Sequence, residues 1–238
     1  MRVLTVALAL VAIAGIAQAD ILVDFGEPEF VNGMPNATYY PTPSPDPFLG
    51  KYWNMGAMGG DGDANTVTVF NDLVDSAGNV LTGTSMSVTG FPTDGNKGLP
   101  GSVVYPQSAS QDAVGCKHGE DPGIITISGL TEPEYTVRLF SSTNEDVSWY
   151  NDDTRRTDVT IGGVTKMIHC SGNTDYIESF YNVAPVGGSI TVEVTGATPG
   201  GDATYSYGYL NVMELVVPEP ATLSLLAIGG LVAIRRRR

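Results

Sequence analysis

Positive charge is scarce in this chain: 12 Lys and Arg stand against 26 Asp and Glu, for a formal net charge of -14. Five of the 12 are Arg2 and Arg235 to Arg238, at the extreme ends, so the middle is more acidic still. Such a surface repels nucleic acid and anionic membrane, which excludes nucleic-acid partners. The chemical signatures that can be read from one stretch are also missing. There is no G-x-S-x-G elbow, no H-E-x-x-H and no G-x-x-x-x-G-K-[ST] loop. Carboxylates are plentiful enough for glycoside hydrolysis and His118 stands near Glu120 and Asp121, but abundance is not a constellation, and the chain reads as a non-enzyme. No internal repeat is evident.

What is abundant is turn chemistry. Twenty-nine Gly and 15 Pro in 238 residues, with much Val, Thr and Ser, describe short strands joined by tight turns rather than packed helices. That length suits one large all-β domain. Alternating or apolar runs predict nine strands, at Ile21 to Phe25, Thr66 to Phe70, Ser85 to Thr89, Ile124 to Ser128, Tyr135 to Phe140, Asp158 to Ile161, Ile177 to Val183, Ser189 to Thr195 and Tyr209 to Val216. Most connections between them carry Gly, Asn, Asp or Pro, as in a sandwich. Met34 to Gly50, with five prolines, reads as a long extended loop, because proline removes ladder donors.

The N-terminus combines Arg2, an apolar run from Val3 to Ile16 and Ala17-Gln18-Ala19, the three parts of a secretory signal peptide, so residues 1–19 are expected to be removed by signal peptidase before Asp20. Export bears on Cys116 and Cys170. An oxidising compartment allows the pair to bridge, and a disulfide is the expected state. Each cysteine also has a histidine beside it, in Cys116-Lys117-His118 and His169-Cys170, so a zinc or copper site is the alternative, and two free thiols the third.

The C-terminus needs a different account. Leu223 to Ile234 is 12 residues, about 18 Å as a helix, whereas a bilayer core of about 30 Å asks for nearer 20 residues. It is a poor permanent anchor. The arginines would stay on the cytoplasmic side, stalling the tail in the inner membrane with the acidic domain outside. A membrane enzyme that reads and removes a hydrophobic tail fits that geometry, as in GPI signals. Pro218-Glu219-Pro220, the apolar run containing Gly229-Gly230, and Arg235, Arg236, Arg237 and Arg238 at the end resemble the PEP-CTERM sorting signal. The resemblance implies processing by a bacterial exosortase on the way to the cell surface or an exopolysaccharide matrix, after a transient inner-membrane stage.

The middle of the chain carries a second resemblance. "LVDSAGN" (Leu73 to Asn79), "YPQSASQD" (Tyr105 to Asp112), "ISGLTEPEYTVRLFSS" (Ile127 to Ser142), "RRTDVTIGG" (Arg155 to Gly163) and "YLNVMELVVPEP" (Tyr209 to Pro220) look like phrases of the galactose-binding-like jelly rolls found ahead of PEP-CTERM tails. It implies an all-β jelly-roll sandwich over 20–217, flanked by an N-terminal signal helix and a short C-terminal hydrophobic helix in 218–238.

Sugars present apolar faces rimmed with hydroxyls, so their sites pair an exposed aromatic with Asn, Asp or Arg. Trp149, Tyr150, Asp152, Arg155 and Arg156 have that composition in one loop, and Tyr205, Tyr207 and Tyr209 share a face of a strand. The competing reading makes both groups structural, with aromatics paired across strands and arginines paired with nearby aspartates. Asp61 and Asp63 suggest a calcium site, although Thr66 stands where an EF-hand loop needs Gly, and a solvated acidic turn is the alternative. Asn36-Ala37-Thr38 is a glycosylation sequon, read as coincidence beside a bacterial sorting tail. The sequence thus describes an exported module that is matrix-associated or carbohydrate-binding, or else purely structural. No cofactor beyond calcium is expected.

Overall fold

The structure is a computed structural model and describes residues 20–25, 30–31, 34–35, 45–46, 49–56, 67–96, 102–143, 155–197 and 207–217. The two expected terminal helices lie outside those residues. Among the described residues no helix is long and apolar enough to cross a membrane.

The chain forms the expected all-β sandwich. In order, its strands are β1 (Ile21–Asp24), β2 (Phe30–Val31), β3 (Met34–Pro35), β4 (Asn54–Met55), β5 (Thr68–Asn71), β6 (Ser85–Thr89), β7 (Thr93–Asn96) and β8 (Asp112–Lys117). They continue as β9 (Gly123–Ser128), β10 (Tyr135–Phe140), β11 (Arg156–Ile161), β12 (Val164–His169), β13 (Glu178–Val183), β14 (Ser189–Gly196), β15 (Tyr207–Leu210) and β16 (Val212–Val216). A short helix, α1 (Gln107–Gln111), precedes β8. One layer is a five-stranded sheet in the order β13-β10-β16-β1-β4, and the other a six-stranded sheet in the order β12-β11-β14-β9-β6-β5. A separate three-stranded sheet, β15-β8-β7, packs on β11 and β14 of the six-stranded layer.

Alternation explains the six-stranded layer. In β9 the sequence GIITIS is buried at every second residue, which puts Ile125 and Ile127 inward and leaves Thr126 to the outer face. These residues meet Val23, Val137, Leu139, Met213 and Leu215 from the five-stranded sheet in one continuous core. β1 and β16 do not alternate, because their sheet is buried on both sides. Its second face packs Leu22, Phe140 and Val212 against Trp53, Tyr105 and Ala109. Lys166 on β12 closes one open edge of the sandwich, donating to Glu178 Oε1 on β13 at 2.7 Å and lying 5.0 Å from the Phe180 ring.

Eight of the nine strands read from sequence are present with small shifts at their ends, and the ninth, Tyr209 to Val216, is broken at Asn211 into β15 and β16, which belong to different sheets. Met34–Pro35 corrects the extended-loop reading, since it pairs antiparallel with Phe30–Val31. β4, β7, β8 and β12 were not expected. β12 follows β11 through Gly162-Gly163, both at positive φ, a two-residue hairpin turn whose backbone only glycine adopts readily.

The strand directions divide the connections between two poles. At the terminal pole, 129–134, 162–163 and 184–188 are short links, and the longer 72–84 is pinned by the Val74–Val80 bridge and the Asp75 carboxylate. At the distal pole lie 118–122 and 170–177, together with Thr143, Arg155, Ala197 and Tyr207.

Asn54 substitutes for a missing strand. Its Nδ2 donates to Leu22 O and Val74 O, and its Oδ1 accepts Val74 N–H, at 2.8–3.0 Å. The side chain is fully buried, so replacing it by Leu leaves three backbone groups without partners, at about 1–3 kcal/mol each. Asn54→Leu is expected to lower the melting temperature of the 20–217 domain by roughly 10 °C, read by circular dichroism; a shift within error would show that Val74 finds other partners.

Candidate functional site

The distal pole is assembled around the backbone of Tyr209. Ser141, just beyond β10, donates its hydroxyl to Tyr209 O. Thr157 on β11 both accepts Tyr209 N–H at 2.7 Å and donates to Tyr209 O at 2.8 Å. Both hydroxyls belong to fully buried residues, where a hydrogen bond is stronger for the low local dielectric. They fix β15 at the place where it leaves the five-stranded sheet.

With its backbone fixed, β15 presents two faces. Gly208 turns inward, where an added Cβ would stand 2.4 Å from Thr195 O, so only glycine permits this approach to β14. Tyr207 and Tyr209 turn to the opposite face, with ring centroids 6.3 Å apart and planes inclined by 16°. Arg155, immediately before β11, places its guanidinium 5.2 Å from the Tyr207 centroid and 6.0 Å from that of Tyr209. This is cation–π geometry, worth about 0.5–2 kcal/mol depending on desolvation. Arg155 and Tyr207 are half-buried, whereas Tyr209 is 3% exposed.

The structure therefore brings together residues that the sequence placed in two separate candidate groups. Arg155 comes from the loop cluster, and Tyr207 and Tyr209 from the tyrosine stripe. No short-range signal announces this contact, because the residues are 52 or more positions apart and meet only through the β11–β14–β15 packing. Arg156 begins β11, and its charge acts on Asp158, whose pKa is raised by burial and pulled back by His118 and Arg156. Trp149, Tyr150, Asp152 and Tyr205 lie outside the described residues, as do Asp61 and Asp63 of the calcium reading.

Cys116 and Cys170 are both buried and free, a correction to the expected disulfide. The reason lies in the separate partners of the two sulfurs. Cys116 Sγ donates to Val194 O at 3.1 Å, while Cys170 Sγ lies 3.0 Å from Ser141 Oγ and 3.1 Å from Thr157 Oγ1. Burial pushes the Cys116 thiol up to about 12 and raises that of Cys170 too. The histidines do not complete a metal site. His118 Nδ1 lies 3.0 Å from Gly196 O, His169 is exposed, and among the described residues no three His, Cys, Asp or Glu gather to hold an ion. Of the neighbours that suggested acid–base chemistry, Glu120 pairs with Lys117 at 3.4 Å, and the carboxyl on which His118 acts is that of Asp158.

Comparison with known proteins identifies one segment. The PEP-CTERM protein-sorting motif matches residues 216–238, so the tail is a sorting signal that marks the chain for export and surface sorting. No curated protein matches the chain. Among solved structures, the plant receptor-like kinase FER is similar at 16% identity over 84% of this chain, with a TM-score of 0.47, and the chain spans 42% of its length. The CBM36-1 domain of a multidomain xylanase from the hindgut metagenome of Trinervitermes trinervoides is 16% identical over 52% of this chain and 90% of its own, with a TM-score of 0.30. A carbohydrate-binding module CBM36 in complex with calcium and xylotriose is 18% identical over 48% of this chain and 86% of its own, with a TM-score of 0.28.

The free thiols have a measurable consequence. In denaturant without reductant, both cysteines are expected to take up an alkylating reagent, giving a mass increase of two adducts. In the native protein the raised pKa alone slows Cys116 by on the order of a thousandfold relative to an exposed thiol at pH 8. A denatured protein that alkylates only after reduction would restore the disulfide.

Proposed function

We propose that this chain is an exported bacterial surface protein, whose leader is removed by signal peptidase and whose PEP-CTERM tail is processed by an exosortase, and whose sandwich is a non-catalytic module that binds carbohydrate of the extracellular matrix. The observation that carries the carbohydrate reading is the Arg155–Tyr207–Tyr209 cluster at the distal pole. Two near-parallel rings offer an apolar platform of the kind that packs on a pyranose face, and a guanidinium supplies donors for the hydroxyl rim. The platform stands on strands rather than on a loop alone, because Ser141 and Thr157 hold the Tyr209 backbone. Arg156 and the preceding Trp149, Tyr150 and Asp152 belong to the same proposed site by sequence adjacency to Arg155.

A second reading has its own observation. Tyr209 is almost fully covered, so Arg155 and the two tyrosines also serve as packing at the end of the sandwich. On that reading the protein is a structural surface component without a specific ligand. Calcium belongs to the first reading, with Asp61 and Asp63 as its proposed ligands.

The two readings separate in a retention experiment with the purified 20–217 domain on exopolysaccharide from the producing cells. Carbohydrate binding predicts that Tyr207→Ala and Arg155→Ala each reduce retention by about tenfold, the effect of one stacking or hydrogen-bonding anchor, with the melting temperature nearly unchanged. Loss of retention on chelation, restored by calcium, supports the metal. Equal retention of the wild type and both variants, or none at all, rejects the proposed site.

The sorting reading is checked separately. Mature protein isolated from cells is expected to have a mass that excludes both residues 1–19 and Arg235 to Arg238. An intact mass that still includes Arg238 would reject processing.

A further inference from the structure

We infer that the terminal pole of the sandwich is kept facing the bilayer by its short tether while the tail is processed, against the repulsion of its acidic surface, so that the Arg155–Tyr207–Tyr209 pole faces outward. The inference rests on the sorting reading of the tail and adds an orientation that the motif does not specify.

The first observation is where the two ends emerge. β1 and β16 are antiparallel neighbours, with Ile21 opposite Leu215, in the middle of the five-stranded sheet. The start of one and the end of the other are therefore about one strand spacing apart, about 4.8 Å. Asp20 ties them together. Its carboxylate lies 3.8 Å from Lys51 Nζ and is favoured as the anion by the backbone N–H of Val217, and its carbonyl accepts Ser76 N–H. Lys51 in turn lies 3.5 Å from Glu214, which is also 3.3 Å from Arg138. The residue that follows the expected leader is thus clasped to the residue that precedes Pro218.

The second observation is the shortness of the tether. Val217 is half-buried at the end of β16, and the apolar run begins at Leu223. Six residues reach at most about 20 Å even when fully extended. The headgroup layer alone takes up roughly 6 Å of that. A domain of about 200 residues is about 40 Å across, from a radius of gyration near 16 Å. With its apolar run in the hydrocarbon, the domain has no room to turn over. Freeing more tether would require peeling β16 from both β10 and β1, exposing Val212, Met213 and Leu215, all fully buried.

The poles differ as this orientation requires. Short, pinned links lie at the terminal pole, and Arg155 and Tyr207 lie at the opposite one. An outward site meets polysaccharide without competition from the bilayer.

Cysteine accessibility tests the orientation, because both native thiols are buried. Thr131→Cys, exposed in the 129–134 link, probes the terminal pole, and Asp121→Cys, exposed in the 118–122 link, probes the distal one. Each full-length variant is treated with a bulky maleimide–polyethylene glycol in spheroplasts while the precursor is membrane-held, and again after detergent release. Thr131→Cys is expected to react roughly tenfold more slowly in the membrane-held form, given the confinement set by the tether length, and to recover on release. Asp121→Cys is expected to react equally in both. Equal reactivity of the two sites in membrane-held protein overturns the orientation alone. A pulse-labelled chain that never fractionates with membrane overturns it together with the sorting reading.

Discussion

The whole architecture turns on Asn211, the residue at which the last strand changes partners. Before it, β15 pairs with β8; after it, β16 enters the middle of the five-stranded sheet between β10 and β1. A buried strand cannot change partners without stranding backbone groups, and each stranded group costs about as much as a lost hydrogen bond. Asn211 answers for all of them at zero exposure. Its N–H donates to Phe140 O and its carbonyl accepts Phe25 N–H. Its side chain accepts Ser142 N–H at 2.7 Å and donates to Ser110 O at 3.0 Å. One residue thereby joins β10, β1, α1 and the distal links at the point where β15 is handed to the third sheet.

From that handover the proposed site follows. Because β15 has left the five-stranded sheet, Tyr207 and Tyr209 meet the start of β11 rather than a neighbour in their former sheet. Ser141 and Thr157 then set the height of β15 above β11 through the Tyr209 backbone. Asn173 fixes the adjoining 170–177 link in the same manner, donating to Ser141 O and Tyr176 O while accepting Tyr176 N–H. The distal pole is thus held by buried amides and hydroxyls, whereas the body of the sandwich is held by apolar contact. Polar scaffolding specifies a geometry more narrowly than apolar contact, because each donor has a direction.

That contrast also explains what was legible in the sequence. Strands such as β9 and β14 announce themselves, since one buried and one wet face impose a period of two. β1 was legible as a strand, but its sequence reads as half-buried, with Ile21, Val23 and Phe25 on one face, whereas all four of its residues are buried; β16 was legible only as part of a longer run from Tyr209. β7 was not, because Thr93-Asp94-Gly95-Asn96 has the composition of a turn, and β8 was hidden by its internal Gly115. β12 carries no clear alternation, although the Gly162-Gly163 pair after β11 was a hairpin signal that should have extended the reading. The scaffold asparagines are the deeper omission. Asn54 and Asn173 look like loop residues in a chain full of loops, Asn211 looks like one more strand residue between Tyr209 and Val216, and nothing local distinguishes an amide that caps a buried strand from one that faces water. Arg155 posed the same difficulty, since its partners are defined only by topology.

The scarcity of cations gives the Arg155 contact its meaning. Lys51 and Arg138 meet Glu214, Lys117 meets Glu120 and Lys166 meets Glu178, as expected where carboxylates outnumber bases two to one. Arg155 differs in what it covers: its guanidinium lies over two tyrosine rings at the end of the sandwich remote from the tail. A guanidinium carries its hydrogen-bond donors in the plane of the group, perpendicular to the direction in which its face meets a ring. An apolar face and a planar set of donors therefore occur together on a pole fixed by polar scaffolding. The tail roots sit at the other pole, joined through Asp20 and Val217. The tail root and the proposed contact site therefore lie at opposite ends of the strands β1 and β16.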